Sequence, residues 1–243
     1  MSDARCALIL DDAAASLADV ALRLLRLRID VFYAKERDEG WLLAQQEAAR
    51  IRALLFPPTI DFDEVSAVSG CLRAHAPEVP QTAVVIGKRP NEAVRERLRA
   101  GGVEWAIWEP YDDSCLRSVV SRAMTACHDD HSETRTHRRI PTTLPASAYA
   151  GTRRKDVVVS TLSPGGAFLE TPSPLPEGLR VTLEIALPGH LVTVKADVVY
   201  ARYPGDDEPG QPSGMGVSFS NLDPPNEKRV RRFLDDLDDR FVV

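Results

Sequence analysis

Hydrophobic positions along this chain follow two different periods. In the first half, short apolar runs alternate with segments whose apolar residues recur every three or four positions, the spacing of one helix face. Residues 6–10 (CALIL) predict a buried strand that ends at Asp11-Asp12. Residues 14–28 predict a helix with Leu17, Val20, Leu24 and Leu27 on one stripe. Further strands are expected at 29–34 (IDVFYA), 51–56 (IRALLF, stopped by Pro57-Pro58), 82–87 (TAVVIG) and 103–108 (VEWAIW). Helices are expected between them. One covers 36–50. The next starts at the capping-box pair Asp61 and Glu64 and carries Val65, Val68 and Leu72. Another runs from Pro90-Asn91 to the stop signal Gly101-Gly102. The last is capped by Asp112 or Asp113 and carries Leu116, Val119, Val120 and Met124. Five βα units within the first 127 residues imply a parallel sheet covered on both faces.

From about residue 153 the period drops to two. Val157 and Val159 alternate, as do Val181, Leu183, Ile185 and Leu187. Val192, Val194, Ala196, Val198 and Tyr200 follow, then Met215, Val217 and Phe219. Turns rich in Pro and Gly separate these runs, and residues 204–214 (PGDDEPGQPSG) read as a mobile hairpin loop. This predicts an antiparallel β-barrel or sandwich. Asp223-Pro224 reads as an N-cap with proline at the first helical position. The helix after it carries Val230, Phe233, Leu234, Leu237 and Phe241, a stripe suited to closing the end of a small barrel. Residues 128–138 (HDDHSETRTHR) contain no apolar side chain and read as a linker.

Composition removes several classes. Of 243 residues, 44% are hydrophobic and 27% charged, which excludes a mainly disordered chain. No apolar run approaches the roughly 20 residues that a membrane span requires. The N-terminus runs straight into acids without a secretory pattern, so the expected compartment is the cytoplasm. A net charge of −6 argues against general nucleic-acid or anionic-membrane binding. Cys6, Cys71, Cys115 and Cys127 form no C-x-x-C pair and read as reduced thiols. Cys127, His128, His131 and His137 have no metal-ligand spacing, so no metal is expected. The acid run Asp235, Asp236, Asp238 and Asp239 reads as a solvated helix face. Nothing resembles a nucleophile elbow or a phosphate-binding loop, and the chain is not expected to be an enzyme.

The Asp11-Asp12 pair at the end of strand one, the order of elements and the Trp108-Glu109-Pro110-Tyr111 tail of strand five together resemble a response-regulator receiver domain. That family's phosphotransfer needs an aspartate after strand three, Ser or Thr after strand four, and lysine before the strand-five proline. This chain has Leu55, Phe56 and Pro57, then Gly87-Lys88, then Glu109 at those places. A carboxylate in the lysine's place reverses the interaction with phosphoryl oxygens. The resemblance therefore implies a pseudo-receiver that presents a surface to a protein partner. Asp11 and Asp12 are expected to form a solvated strand-to-helix turn and N-cap rather than a Mg²⁺ site.

A second signal is basic. Arg135, Arg138, Arg139, Arg153, Arg154 and Lys155 lie between residues 135 and 155, where there is no acid. Such a patch on an acidic chain points to a specific anion. Within it, Arg135-x-x-x-Arg139 is followed some twenty residues later by Thr161-x-Ser163-x-x-Gly166. This resembles the PilZ domain, a family of bacterial cyclic di-GMP receptors whose signature is R-x-x-x-R and then D/N-x-S-x-x-G. Gly165, Ala167-Phe168-Leu169, the run from Gly214 to Phe219 and the helix from Asp223 also resemble the family.

The resemblance implies residues 1–127 as pseudo-receiver, 128–138 as linker or arm, and 139–243 as PilZ-like barrel with a C-terminal helix. It implies cyclic di-GMP as ligand, held by Arg135, Arg139, Thr161, Ser163 and Gly166, with a role in signal transduction behind motility, polarity, biofilm or virulence. Guanidinium groups pair with phosphate or with guanine O6 and N7, and they stack on purines. Thr161 departs from the family's Asp or Asn and offers one polar atom in place of two. The alternative is a ligand-independent adaptor built from degenerate receiver and PilZ domains.

Overall fold

The structure is a computed structural model, and it describes residues 5–12, 16–103, 105–125, 139–204 and 212–238. The chain divides into two compact units, each taken here by itself.

In the first unit five parallel strands, β1 (Cys6–Leu10), β2 (Asp30–Ala34), β3 (Ile51–Phe56), β4 (Thr82–Gly87) and β5 (Trp105–Trp108), lie in the order β2-β1-β3-β4-β5. This is the strand order of flavodoxin and CheY. β1 is buried along its whole length, and Phe56 and Ile107 are fully buried, as expected of strands covered on both faces. Five helices follow the strands: α1 (Ala18–Arg26), α2 (Arg37–Glu47), α3 (Phe62–His75), α4 (Glu92–Ala100) and α5 (Asp113–Thr125).

The caps read from the sequence form. Asp61 accepts from the Asp63 amide at 3.1 Å, Asn91 from Val94 at 3.1 Å, and Asp112 from Cys115 at 2.8 Å. Gly102 takes φ +80° directly after α4, a conformation that favours glycine. α1 is shorter than the stripe from residue 14 to 28 predicts.

The second unit is a closed antiparallel barrel in the order β10-β11-β8-β7-β6-β9. Its strands are β6 (Ile140–Ala150), β7 (Arg153–Ser163), β8 (Gly166–Glu170), β9 (Arg180–Leu187), β10 (His190–Arg202) and β11 (Gly214–Asn221). Val157, Val159, Leu183, Val194, Met215 and Val217 fill its interior. β6 carries prolines at 141 and 145, which donate no ladder bond, and its register against β7 shifts between Pro141 and Leu144. Within that shift the Thr142 hydroxyl donates to the Val159 carbonyl at 2.6 Å.

The helix α6 (Pro224–Asp238) starts at Asp223, whose side chain accepts from the Asn226 amide at 2.8 Å. Val230 and Leu234 are its buried apolar positions, and it packs against β6 and β7. Among the described residues, no helix is long and apolar enough to cross a membrane.

Alternation misplaces one side chain. The sequence puts Tyr200 on the inward row with Val198, but the β10–β11 register shifts between them. Val198 faces Val217, whereas Tyr200 faces Gly216. A bulge of one residue carries Tyr200 to the outer face.

A candidate nucleotide site on the barrel surface

The second motif forms a tight hairpin between β7 and β8. Ser163 pairs with Gly166, Leu162 with Ala167 and Thr161 with Phe168, leaving Pro164-Gly165 as the turn. Leu162 and Ala167 point into the barrel, so Thr161 and Phe168 share its outer face. The Ser163 hydroxyl is buried and donates to the Gly166 carbonyl at 3.1 Å. A Cβ on Gly166 would lie 2.3 Å from the Val217 carbonyl oxygen, so only glycine allows β8 and β11 to approach this closely. The two motif residues read as ligand donors therefore also build the hairpin.

The arm meets this hairpin through strand register. Arg139 is half-buried and immediately precedes β6, where Ile140 pairs with Leu162 and Pro141 with Thr161. Arg139, Thr161, Ser163 and Gly166 are thus brought together at one end of β7. Arg135 lies outside the described residues, as do Arg138 and the group Cys127, His128, His131 and His137. The described bases do not form one patch with Arg139. Arg153, Arg154 and Lys155 begin β7, and Thr161 is eight residues further along it, about 26 Å at roughly 3.3 Å per residue.

Three residues that the motif does not contain complete the surface. Phe168 and Tyr200 stack with ring centroids 6.1 Å apart and planes 25° apart. The Arg202 guanidinium lies 5.7 Å from the Phe168 ring centre and 5.9 Å from that of Tyr200. Gly216 lies beneath: a Cβ there would sit 2.1 Å from the Tyr200 ring. The outer face therefore carries, strand by strand, the Thr161 hydroxyl, an aromatic pair and a cation. A flat π surface beside guanidinium donors suits a purine carrying phosphate.

The Asp pair of the first unit behaves differently from a metal site. Asp11 is buried, which corrects the expectation of a solvated turn. Its carboxylate accepts from the Asp12 amide at 2.9 Å, the Leu17 amide at 2.9 Å, the Ser16 hydroxyl at 3.1 Å and the Tyr33 hydroxyl. It thereby caps the start of α1 from the end of β1. Asp12 accepts from the Thr59 hydroxyl at 2.6 Å. Phe56, where a receiver would hold its phosphoacceptor, is fully buried, and Glu109 is exposed. Among the described residues no cluster of three or more His, Cys, Asp or Glu is placed to hold a metal.

Residues 133–236 match the PilZ domain family. The PilZ domain with c-di-GMP of YcgR from Escherichia coli is 21% identical, over 44% of this chain and 92% of that one, with a TM-score of 0.36. The Bacillus subtilis inhibitor of motility is 14% identical, over 42% of this chain and 50% of that one, with a TM-score of 0.36. This chain thus spans about half of the inhibitor's length. A CheY-like response regulator receiver domain protein from Methanospirillum hungatei is 16% identical, over 51% of this chain and 95% of that one, with a TM-score of 0.41. No curated protein matches the chain.

Proposed function

We propose, from the match of residues 133–236 to the PilZ domain family, that this protein is a non-enzymatic bacterial signalling protein that binds cyclic di-GMP on the barrel and regulates a protein partner. The observation that carries the reading is the register of β6 against β7. It sets Arg139, at the end of the proposed arm, beside the Thr161–Gly166 hairpin.

In this reading Arg135 and Arg139 pair with the ligand phosphates or with guanine O6 and N7. Thr161 contributes one hydroxyl, and the exposed Gly165 leaves the hairpin turn open to close approach of the nucleotide. Tyr200, half-buried over the buried Phe168, offers a face for a guanine, with Arg202 beside it. The pseudo-receiver presents the surface that a partner reads, because it has no acceptor for a phosphoryl group. The cytoplasm is the proposed compartment, and motility, polarity, biofilm or virulence is the proposed output.

The test is calorimetric titration of the full chain with cyclic di-GMP. Saturable binding is expected, weakened roughly tenfold or more by Arg139→Ala and by Arg135→Ala at unchanged melting temperature. Tyr200→Ala is expected to cost about 1–3 kcal/mol of binding. Absence of binding would overturn the receptor reading and leave the ligand-independent adaptor in its place.

A further inference from the structure

A second groove lies on the barrel at the end of β11 remote from the aromatic stack; its Ser220 follows Phe219, whose amide donates to the Gly165 carbonyl of the hairpin turn at 2.9 Å. It has a volume of about 440 Å³ and is lined by Tyr149, Gly151, Arg180, Thr182, Lys195 and Ser220, with Val181 at its base. Its floor is the start of β9, where Thr182 pairs with Tyr149 on one side and Lys195 on the other. On β11 the aromatic stack lies over Gly216, while this groove lies at Ser220. Those positions are about 13 Å apart along the strand at roughly 3.3 Å per residue.

The acids of the groove are already engaged. Asp197 accepts from Arg180 Nε at 3.0 Å and from the Ser220 hydroxyl at 2.6 Å. Glu184 accepts from the Tyr149 hydroxyl at 2.9 Å. At the rim, Asp156 is held by Arg154. The donors are in surplus. The Lys195 ammonium and the Thr182 hydroxyl make no hydrogen bond among the described residues, and Arg180 uses only Nε, leaving its two terminal nitrogens. Arg153, opposite Ala150 in the ladder, adds a further cation beside Gly151. Two cations across a small pocket, with a hydroxyl between them and the local carboxylates satisfied, match a compact dianion.

We propose that this groove is a second anion site of the barrel, remote from the aromatic stack, which takes the phosphoryl group of a small phosphorylated molecule. The Lys195 ammonium acts as a point charge on one side. The Arg180 terminal nitrogens form two-point bonds on the other, and Thr182 donates from the floor. The volume admits a ligand of small-metabolite size.

The experiment is amide-resolved NMR of the full chain titrated with inorganic phosphate at constant ionic strength, and in parallel with acetate. Saturable shifts are expected at Gly151, Thr182, Lys195 and Ser220 with phosphate and not with acetate. Lys195→Gln and Arg180→Gln should each weaken phosphate binding about five- to tenfold, with barrel stability unchanged for Lys195→Gln. Arg139→Ala should leave this binding unchanged, which separates the groove from the nucleotide surface. Non-saturating shifts, equal shifts with acetate, shifts centred on Thr161 and Gly166 and abolished by Arg139→Ala, or an unaltered affinity in Lys195→Gln would each overturn the proposal.

Discussion

The Ser163 hydroxyl donates to the Gly166 carbonyl across the turn that joins β7 to β8, so two residues of one motif are bonded to each other. Removing the bond with Ser163→Ala strips a buried carbonyl of its partner and should cost about 1–3 kcal/mol of stability. Gly166→Ala should cost as much or more, because its Cβ would meet backbone 2.3 Å away that cannot swing aside. Urea denaturation followed through the barrel measures both. If Gly166→Ala left the midpoint unchanged, β8 and β11 would not approach as described.

Thr161 faces outward beside Phe168 and carries one polar atom where the family has two. Thr161→Asn should strengthen cyclic di-GMP binding roughly tenfold, one good base contact. The aspartate variant is the poorer test, since its charge also repels the ligand phosphates. If the wild type binds and calorimetry finds no gain in Thr161→Asn, Thr161 does not face the base.

Phe56 fills the end of β3 with apolar bulk, and Asp11 is bonded on all sides to its own domain. Beryllofluoride with Mg²⁺ should therefore leave the amide spectrum of the first unit unchanged. Mg²⁺-dependent shifts around Asp11 and Asp12 would show a working metal site.

Burial pushes the Cys6 thiol up from 9.0 to about 12, against a smaller opposing effect of the Arg50 charge. The folded state thus favours the protonated thiol. Its contribution is fully present below the unfolded value near 9 and is lost as pH rises toward 12. Stability measured by urea between those pH values should fall more steeply for the wild type than for Cys6→Ala. In the native protein iodoacetamide should modify Cys115, which is partly exposed, well before Cys6.

Much of the fold could be read from periodicity because most strands keep one period throughout. The inward row Val181, Leu183, Ile185 and Leu187 is an unbroken case. Tyr200 could not be placed this way. Val198-Val199-Tyr200 are all strand formers, and nothing in their composition marks the extra residue that turns Tyr200 outward. Of the site, Thr161, Ser163 and Gly166 could be recognised as a motif, but the internal bond of Ser163 depends on a turn geometry that spacing alone does not specify. Arg139 and the run Arg153, Arg154 and Lys155 looked like one patch because sequence distance ignores how far a strand travels; Arg153 and Thr161 share β7 and stand at opposite ends of it. Asp11 looked solvated because the partner that buries it, Tyr33, comes from the neighbouring strand.

Closure of the barrel restricts how it can meet another chain. With β9 bonded to β10, each of the six strands has a neighbour on both sides for part of its length, and the stretches that overhang, such as Arg153–Val157 of β7 beyond β8 and His190–Val194 of β10 beyond β11, are short. A partner of the barrel is therefore read chiefly by side chains and turns, and point substitutions on its surface can abolish that recognition. The first unit is the opposite case: β2 and β5 are the outer strands of an open sheet. Strand addition, which reads backbone rather than side chains, is available to a partner at those edges and would survive most single substitutions there.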